Sequence, residues 1–393
     1  MTSTKSKNLT GVYSLIQGCY WMNFAAIMSY SSFFLLSKGF INTEIGMIIA
    51  VACILSAVLQ PILASYADRP ESLSLKKMIL LLFLLQLLMS VGMLFSKNSL
   101  LTGFFYGSSI MLLQLENPFI NALGMECINQ GKKLNYGLAR GMGSVAYALI
   151  CYVLGMITSK SGAKTIPVSI TIITLAIFAC VVFFPFSKAT DKGENRSQKQ
   201  SNANPVLFFK KYKRFAWVLA GCVFIYISHI LLNNFLFQII QSKGGDSTEM
   251  GTASAIAAMA ELPTLFLFGY IVKKFRCDIL LRTAGVFFAL KAVGSLLAPG
   301  IFSFYGVQIF QMLGWGLMTA VSVYYVNKIM KPEDAVKGQA YFTMTYTMAS
   351  VIGSSLGGAL IDLAGVNSML LFASVAAALG TVIVFVSAER TSI

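Results

Sequence analysis

The sequence predicts an all-α membrane protein of twelve transmembrane helices arranged as two pseudo-symmetric six-helix bundles. Three observations carry this expectation. The first is composition: 56% of residues are hydrophobic, 11% are charged, and the mean hydropathy is +0.73, against about 25% charged residues in an ordinary soluble domain. The second is a recurrence of apolar stretches long enough to cross a bilayer, which takes about 20 residues each. The third is the placement of Lys and Arg.

The charge-poor stretches give approximate spans at 12–36, 45–66, 77–96, 99–122, 139–159, 165–186, 215–241, 250–272, 279–298, 301–327, 338–360 and 367–388. The long run 292–327 is cut in two at Ala298-Pro299-Gly300, because Pro and Gly disfavour continuation of a helix. Outer-membrane barrels are excluded, since their strands alternate in polarity over about ten residues. The first apolar run is too long for a signal peptide and lacks a small-residue cleavage site.

With both termini placed in the cytoplasm, the termini and even-numbered loops hold 24 Lys and Arg and the odd-numbered loops hold 5. Lys291 falls inside a span. That asymmetry follows the positive-inside rule. The net charge of +15 is therefore a matter of topology, and no nucleic-acid partner is expected. Seven Cys without paired spacing read as small core residues, and with a single His no metal site is expected. The polar segment Ser187–Arg214 reads as a cytoplasmic linker between an N-terminal bundle, 1–186, and a C-terminal bundle, 215–393. Two six-span halves suit a transporter that alternates access to a site near the midplane.

Ionisable residues within a bilayer are expensive and usually face a cavity or a partner. Here they are Glu116, Arg140, His229, Glu261 and Lys291, with Glu126 near a helix end. Polar stripes accompany them: Gln114, Asn117 and Asn121 in the fourth span, His229 and Asn233 in the seventh, and Gln308, Gln311, Trp315, Thr319 and Ser322 in the tenth. Any one of these amides serves equally as interhelical glue; several together point to a polar central cavity. Glu261, eleven residues into its span, is the leading candidate for proton exchange, with an ion pair that holds the fold as the competing role. Arg140 is either its neighbouring cation or an anchor snorkelling to the cytoplasm. Ser144 and Tyr147 share the Arg140 face of one helix. Tyr147 could stack on the apolar face of a sugar, or could simply pack.

Taken together these residues resemble the oligosaccharide:proton symporters of the major facilitator superfamily, the lactose-permease-like family, over nearly the whole chain. NYGLARGMGSVAYAL is similar to that family's fifth-helix segment, MAELPTL to its eighth, and QPILASYADR to its loop between the second and third helices, with Asp68 and Arg69 in the gating motif. The resemblance implies a sugar-binding Arg140, a sugar-stacking Tyr147, and a Glu261 central to binding and coupling. It also implies Asn121, Thr264 and Gln311 at substrate-facing positions, and Lys291 where the family has an Arg; Asn233 joins the candidate substrate-binding residues from the polar stripe of the seventh span. Departures are substantial. The carboxylate that pairs with the family's Arg is replaced by Asn121, with Glu126 a turn or more further on. The coupling His and Glu of the tenth helix fall at Gln311 and Gly314, and the motif glycine at Ala64. The membrane ion-pair charges of the seventh, tenth and eleventh helices are absent together, so none is stranded.

The expected function is proton-coupled import of a sugar or similar polyhydroxylated solute, with Glu261, Glu116 or His229 carrying the proton. No cofactor is expected. The expected location is the bacterial cytoplasmic membrane and the expected state a monomer. The alternatives are a uniporter or an exporter of drugs and amphiphiles, and a non-transporting nutrient receptor. An intramembrane enzyme is disfavoured, since no nucleophile–base pair stands out.

Overall fold

The computed structural model describes residues 9–67, 69, 71–186 and 205–392, and these are helical almost throughout. The helices are α1 (Leu9–Phe24), α2 (Ser31–Ser37), α3 (Asn42–Ala67), α4 (Leu75–Phe95), α5 (Ser99–Asn129), α6 (Tyr136–Ser161), α7 (Thr165–Phe183), α8 (Pro205–Lys211), α9 (Lys213–Asn234), α10 (Leu236–Ser242), α11 (Ser247–Lys274), α12 (Cys277–Leu297), α13 (Ile301–Gln308), α14 (Trp315–Ile329) and α15 (Pro332–Ser387). Among the described residues, nine helical stretches are long and apolar enough to cross a membrane. The last of them, α15, is two helices joined at Gly365, whose φ of 81° lies in the left-handed region that an L side chain rarely adopts.

Local sequence sets the boundaries. Asp246 begins α11 with a capping box: the Thr248 amide donates to its carboxylate at 2.6 Å, and Glu249 accepts the Asp246 amide at 2.8 Å. Asn135 starts α6 by accepting the Leu138 amide at 3.0 Å, and Asn98 starts α5 by accepting the Leu100 amide at 2.7 Å. Gly131, with φ 73°, follows the end of α5.

The observed helices depart from the predicted limits in instructive ways. The stretch expected as a single span at 12–36 is interrupted by a π-helical turn, Ala25–Ser29, and a break at Tyr30. The stretch 215–241 breaks at Phe235, and 301–327 breaks around a 3₁₀ turn, Ile309–Gln311, that ends at Gly314. Apolar continuity cannot reveal such breaks, because each lies inside an apolar run and is imposed by what the neighbouring helices present. The fourth stretch extends to Asn129, past its predicted end at 122, so Glu126 is helical. Of the linker expected at 187–214, residues 187–204 lie outside the described residues. Within the remainder, Pro205–Lys211 is helical, Phe208 is buried, and its ring lies 5.1 Å from Tyr341. Gln60 and Pro61, inside the predicted span 45–66, are within α3. Asp68 lies outside the described residues; Arg69 is exposed in the turn after α3, its amide donating to the Tyr66 carbonyl.

The described N- and C-terminal residues share one end of the bundle, here the terminal end, and the turns at 38–42, 161–165, 242–247 and Gly365 share the far end. Close crossings join the two halves near the far end. A Cβ on Gly46 would overlap the Ser354 carbonyl, and one on Gly358 would overlap the Asn42 carbonyl. In the matching crossing of α6 and α11, a Cβ on Gly155 would lie 2.7 Å from the Ser247 carbonyl. Backbones approach this closely only where side chains are minimal. Asp362, from the second half, caps α3 of the first, accepting from the Thr43 amide and hydroxyl, each at 2.7 Å, and from the Asn42 side chain at 2.7 Å. Ser159 donates to Asp246 at 2.9 Å and Gln238 to Asn42 at 2.7 Å. Toward the terminal end the same helices separate: Ala57, Gln60 and Ala64, which continue the Gly46–Cys53 face of α3, and Thr343, on the Ser350 face of α15, are exposed.

Candidate functional site

The polar residues of the spans gather at the interface of the two halves, on two walls. The wall of the first half comes from α1, α5 and α6. Gln17 donates to Asn121 at 3.1 Å and to the Tyr13 hydroxyl at 2.9 Å, and Tyr136 donates to Asn121 at 3.0 Å. Asn121 in turn donates to Asn117 at 3.0 Å. The i, i+3, i+7 stripe read from the sequence is thus one face of α5, with Gln114, Asn117 and Asn121 all partly exposed. Arg140 lies over the ring of Trp21, 4.0 Å from its centroid, and donates weakly to Ser144 at 3.5 Å. Among the described residues it forms no ion pair. Glu126, which the sequence offers as a replacement carboxylate for it, accepts from Gln130 at 3.1 Å.

The sequence does not single out Trp21. A Trp in an apolar span is ordinary packing material, and only the fold shows that it carries the arginine. Its seat is Gly143, where a Cβ would overlap the indole Cδ1. We therefore expect Gly143→Val to displace Trp21 and to lower solute uptake about tenfold, a loss of roughly 1.4 kcal/mol, in the range of a partly desolvated cation–π contact. Tryptophan emission in a Trp217→Phe, Trp315→Phe background would report the displacement directly; unchanged emission would disprove it.

The wall of the second half comes from α9, α11, α12 and the broken α13–α14 helix. Lys291 donates to the Gln311 side-chain oxygen at 2.6 Å, and Gln311 donates from its amide nitrogen to Glu261 at 2.9 Å. Lys291 and Gln311 are buried, and Glu261 is partly exposed. The amide is thereby oriented, oxygen to ammonium and N–H to carboxylate, and it links a cation to an anion without direct contact. Arg140 and Glu261 sit on α6 and α11, which pack together across the interface, with Gly141 lying against Phe266. Gly316 packs against Glu261, with space for a Cβ only at 3.4 Å from its backbone. The 3₁₀ turn that breaks the helix delivers Gln311 to this position, as irregular helix turns often do at functional sites.

His229 stacks on Trp315 at 4.4 Å with 5° between the rings, and Tyr226 and Tyr346 flank the same tryptophan at 6.0 and 5.4 Å. Asn233 donates to the His229 carbonyl at 2.6 Å, one turn back on its own helix. Tyr147 shares a 2.7 Å hydrogen bond with Ser29, a residue of the π-helical turn, and its ring lies near Phe24. Thr264 is buried. Glu116 has no exposure, and neither carboxylate oxygen has a partner among the described residues; it occupies the buried face of α5 with Ile120 and Leu123, apart from the Asn117–Asn121 face. A cavity of about 450 Å³ at the far end of the first half is lined by Lys38, Lys97 and Lys164 and includes none of these intramembrane residues. No group of three His, Cys, Asp or Glu residues suited to a metal is present among the described residues.

The sequence model of the MFS_1 like family matches residues 13–373. Among solved structures, a point mutant of the nucleoside transporter NupG superposes with a TM-score of 0.81 at 13% identity, over 96% of this chain and 98% of that one. The NupG structure without that mutation gives 0.78 at 13% identity over the same shares. A POT family transporter in complex with a thioalcohol-conjugated peptide gives 0.72 at 12% identity, over 95% of each chain. At these identities the likeness is one of fold. No curated protein matches the chain. An all-helical chain with a split polar interface and a family match over most of its length is a membrane transporter in fold, and it belongs to the MFS_1 like family.

Proposed function

We propose that the protein is a secondary transporter that imports a small polyhydroxylated solute together with a proton, by alternating access through twelve spans whose termini face the cytoplasm. The observation that carries this reading is the Lys291–Gln311–Glu261 chain. Protonation of the carboxylate removes the charge that Lys291 is matched to through the amide, so proton uptake changes the charge balance of the wall that the solute meets. Arg140 faces it from the other half, so binding and protonation share one space. Asn117, Asn121 and Tyr136, all partly exposed, supply the amides and hydroxyl that recognise a polyol, with Gln17 holding Asn121 from behind. With the terminal end cytoplasmic, as the Lys and Arg distribution favours, the far-end seam closes the outer side and the site opens inward.

The two bundles 1–186 and 215–393 then rock about that seam, and residues 187–214 connect them. Arg69, in the turn after α3, is at the terminal end, cytoplasmic in this reading, and the sequence motif assigns it together with Asp68 to a gating contact. Residence in a bacterial cytoplasmic membrane and action as a monomer complete the proposal. Loss of the family's tenth-helix His and Glu places coupling on Glu261, with Glu116 or His229 as the alternatives.

A nucleoside is the second reading, favoured by the Trp315 platform with His229, Tyr226 and Tyr346 around it, since a base stacks on such a surface. The fold likeness to a nucleoside transporter agrees with that choice without deciding it.

The test is uptake of radiolabelled sugars, sugar acids and uridine into proteoliposomes, with and without an inward proton gradient. Accumulation that requires the gradient supports the proposal. Equal entry of chemically diverse amphiphilic cations would favour an exporter, and saturable binding without flux a receptor.

A further inference from the structure

We propose that the solute is a monoanion: a polyol bearing one carboxylate, which docks on the guanidinium of Arg140. The proposal rests on the transporter reading above and names the chemical class that its site would take.

Its basis is the way the positive charges are matched. Lys291 reaches Glu261 through Gln311, so that cation and that anion are already linked. Arg140 has no such arrangement. Among the described residues its one hydrogen bond is a long one to the Ser144 hydroxyl, and no carboxylate lies within ion-pair distance. The acids that might have served are otherwise placed. Glu116 is turned into the first half and Glu126 is engaged by Gln130. Asn121, an amide held by Gln17 and Tyr136, carries no charge to offset the guanidinium. An unmatched cation in low-dielectric surroundings is costly, and a partner of opposite charge relieves that cost.

The geometry selects the kind of partner. Trp21 holds the guanidinium, whose carbon lies 4.0 Å from the ring centroid, and the side chain remains partly exposed. A planar fork of N–H donors fits a carboxylate with two parallel hydrogen bonds. Since one positive charge is unmatched, one negative charge is called for, and a phosphate monoester would bring nearly two. The amide and phenol groups beside Arg140 then take hydroxyls on the same molecule.

The experiment offers wild-type proteoliposomes radiolabelled D-glucuronate, D-glucose and glucose 6-phosphate at equal concentration under one imposed pH gradient. Saturable glucuronate entry at least tenfold faster than glucose is expected. Glucose or glucose 6-phosphate entering as fast as glucuronate overturns the inference. Arg140→Lys, which keeps charge but loses the fork, should reduce the preference, and Arg140→Gln should abolish it. Survival of the preference in Arg140→Gln, purified as a monodisperse protein, also overturns it. If glucose enters and glucuronate does not, the transporter reading stands and this inference alone fails. If none of the three enters, both fail.

Discussion

Replacing Glu261 with Gln is expected to abolish proton-driven accumulation while leaving downhill entry of the solute measurable. A monoanion carried with one proton moves no net charge, so the pH gradient drives it: each pH unit supplies about 1.4 kcal/mol per proton and sustains a roughly tenfold solute gradient. In Glu261→Gln the plateau should fall to equal concentrations inside and out. The substitution is nearly isosteric, and its side-chain oxygen still accepts the Gln311 N–H, so the wall keeps its shape. What disappears is the titrating group, and with it the only acidic partner that reaches the buried Lys291 by way of Gln311. A buried charge left without compensation destabilises by about 3–5 kcal/mol. The melting temperature should therefore drop, and Glu261→Gln combined with Lys291→Gln should recover stability without recovering accumulation. Full accumulation in the single mutant would move coupling to Glu116 or His229.

Gly46→Leu and Gly251→Leu should each stop turnover by preventing closure of the far-end seam. The added side chain at Gly46 would have to occupy the place of the Ser354 backbone, and at Gly251 that of the Cys151 backbone. Backbone on a packed helix cannot yield as a flexible side-chain tip can, so overpacking of this kind costs at least about 1–3 kcal/mol. Because that penalty exists only when the halves meet, it shifts the population toward a state open at the far end. Cys53 is a native reporter. It is 2% exposed, lies at the same seam, and contacts Ser350 across it at 3.4 Å. In both variants a membrane-impermeant thiol reagent applied from outside should label Cys53 at least tenfold faster than in wild type, with Cys53→Ser as the control. Labelling at the wild-type rate together with normal uptake would show that the seam does not gate.

Much of this architecture is legible in the chain itself. The apolar stretches announce a helical membrane protein, and the polar stripe of α5 falls on one face as its spacing requires. Arg140, Glu261, Lys291 and Gln311 each stand out, because a charge or amide amid apolar residues is conspicuous against a bilayer. The partners of these residues are not legible. The sequence offers Glu126 for Arg140, and the structure puts Trp21 there. It offers Tyr147 as a stacking ring, and the structure ties its hydroxyl to Ser29. Both partners arise from contacts between helices more than a hundred positions apart, and those distances leave no periodic trace.

The sequence alone determined that this protein is helical and membrane-embedded and which side chains are too polar for lipid. That information is local, since hydropathy and charge are properties of each residue's own transfer from water. Only the tertiary structure decided that Gln311 joins Lys291 to Glu261, that α1 and the α13–α14 helix break where they do, and that Asp362 caps a helix of the opposite half. Those outcomes depend on which backbones approach closely enough to exchange hydrogen bonds, and that is fixed only when the helices pack.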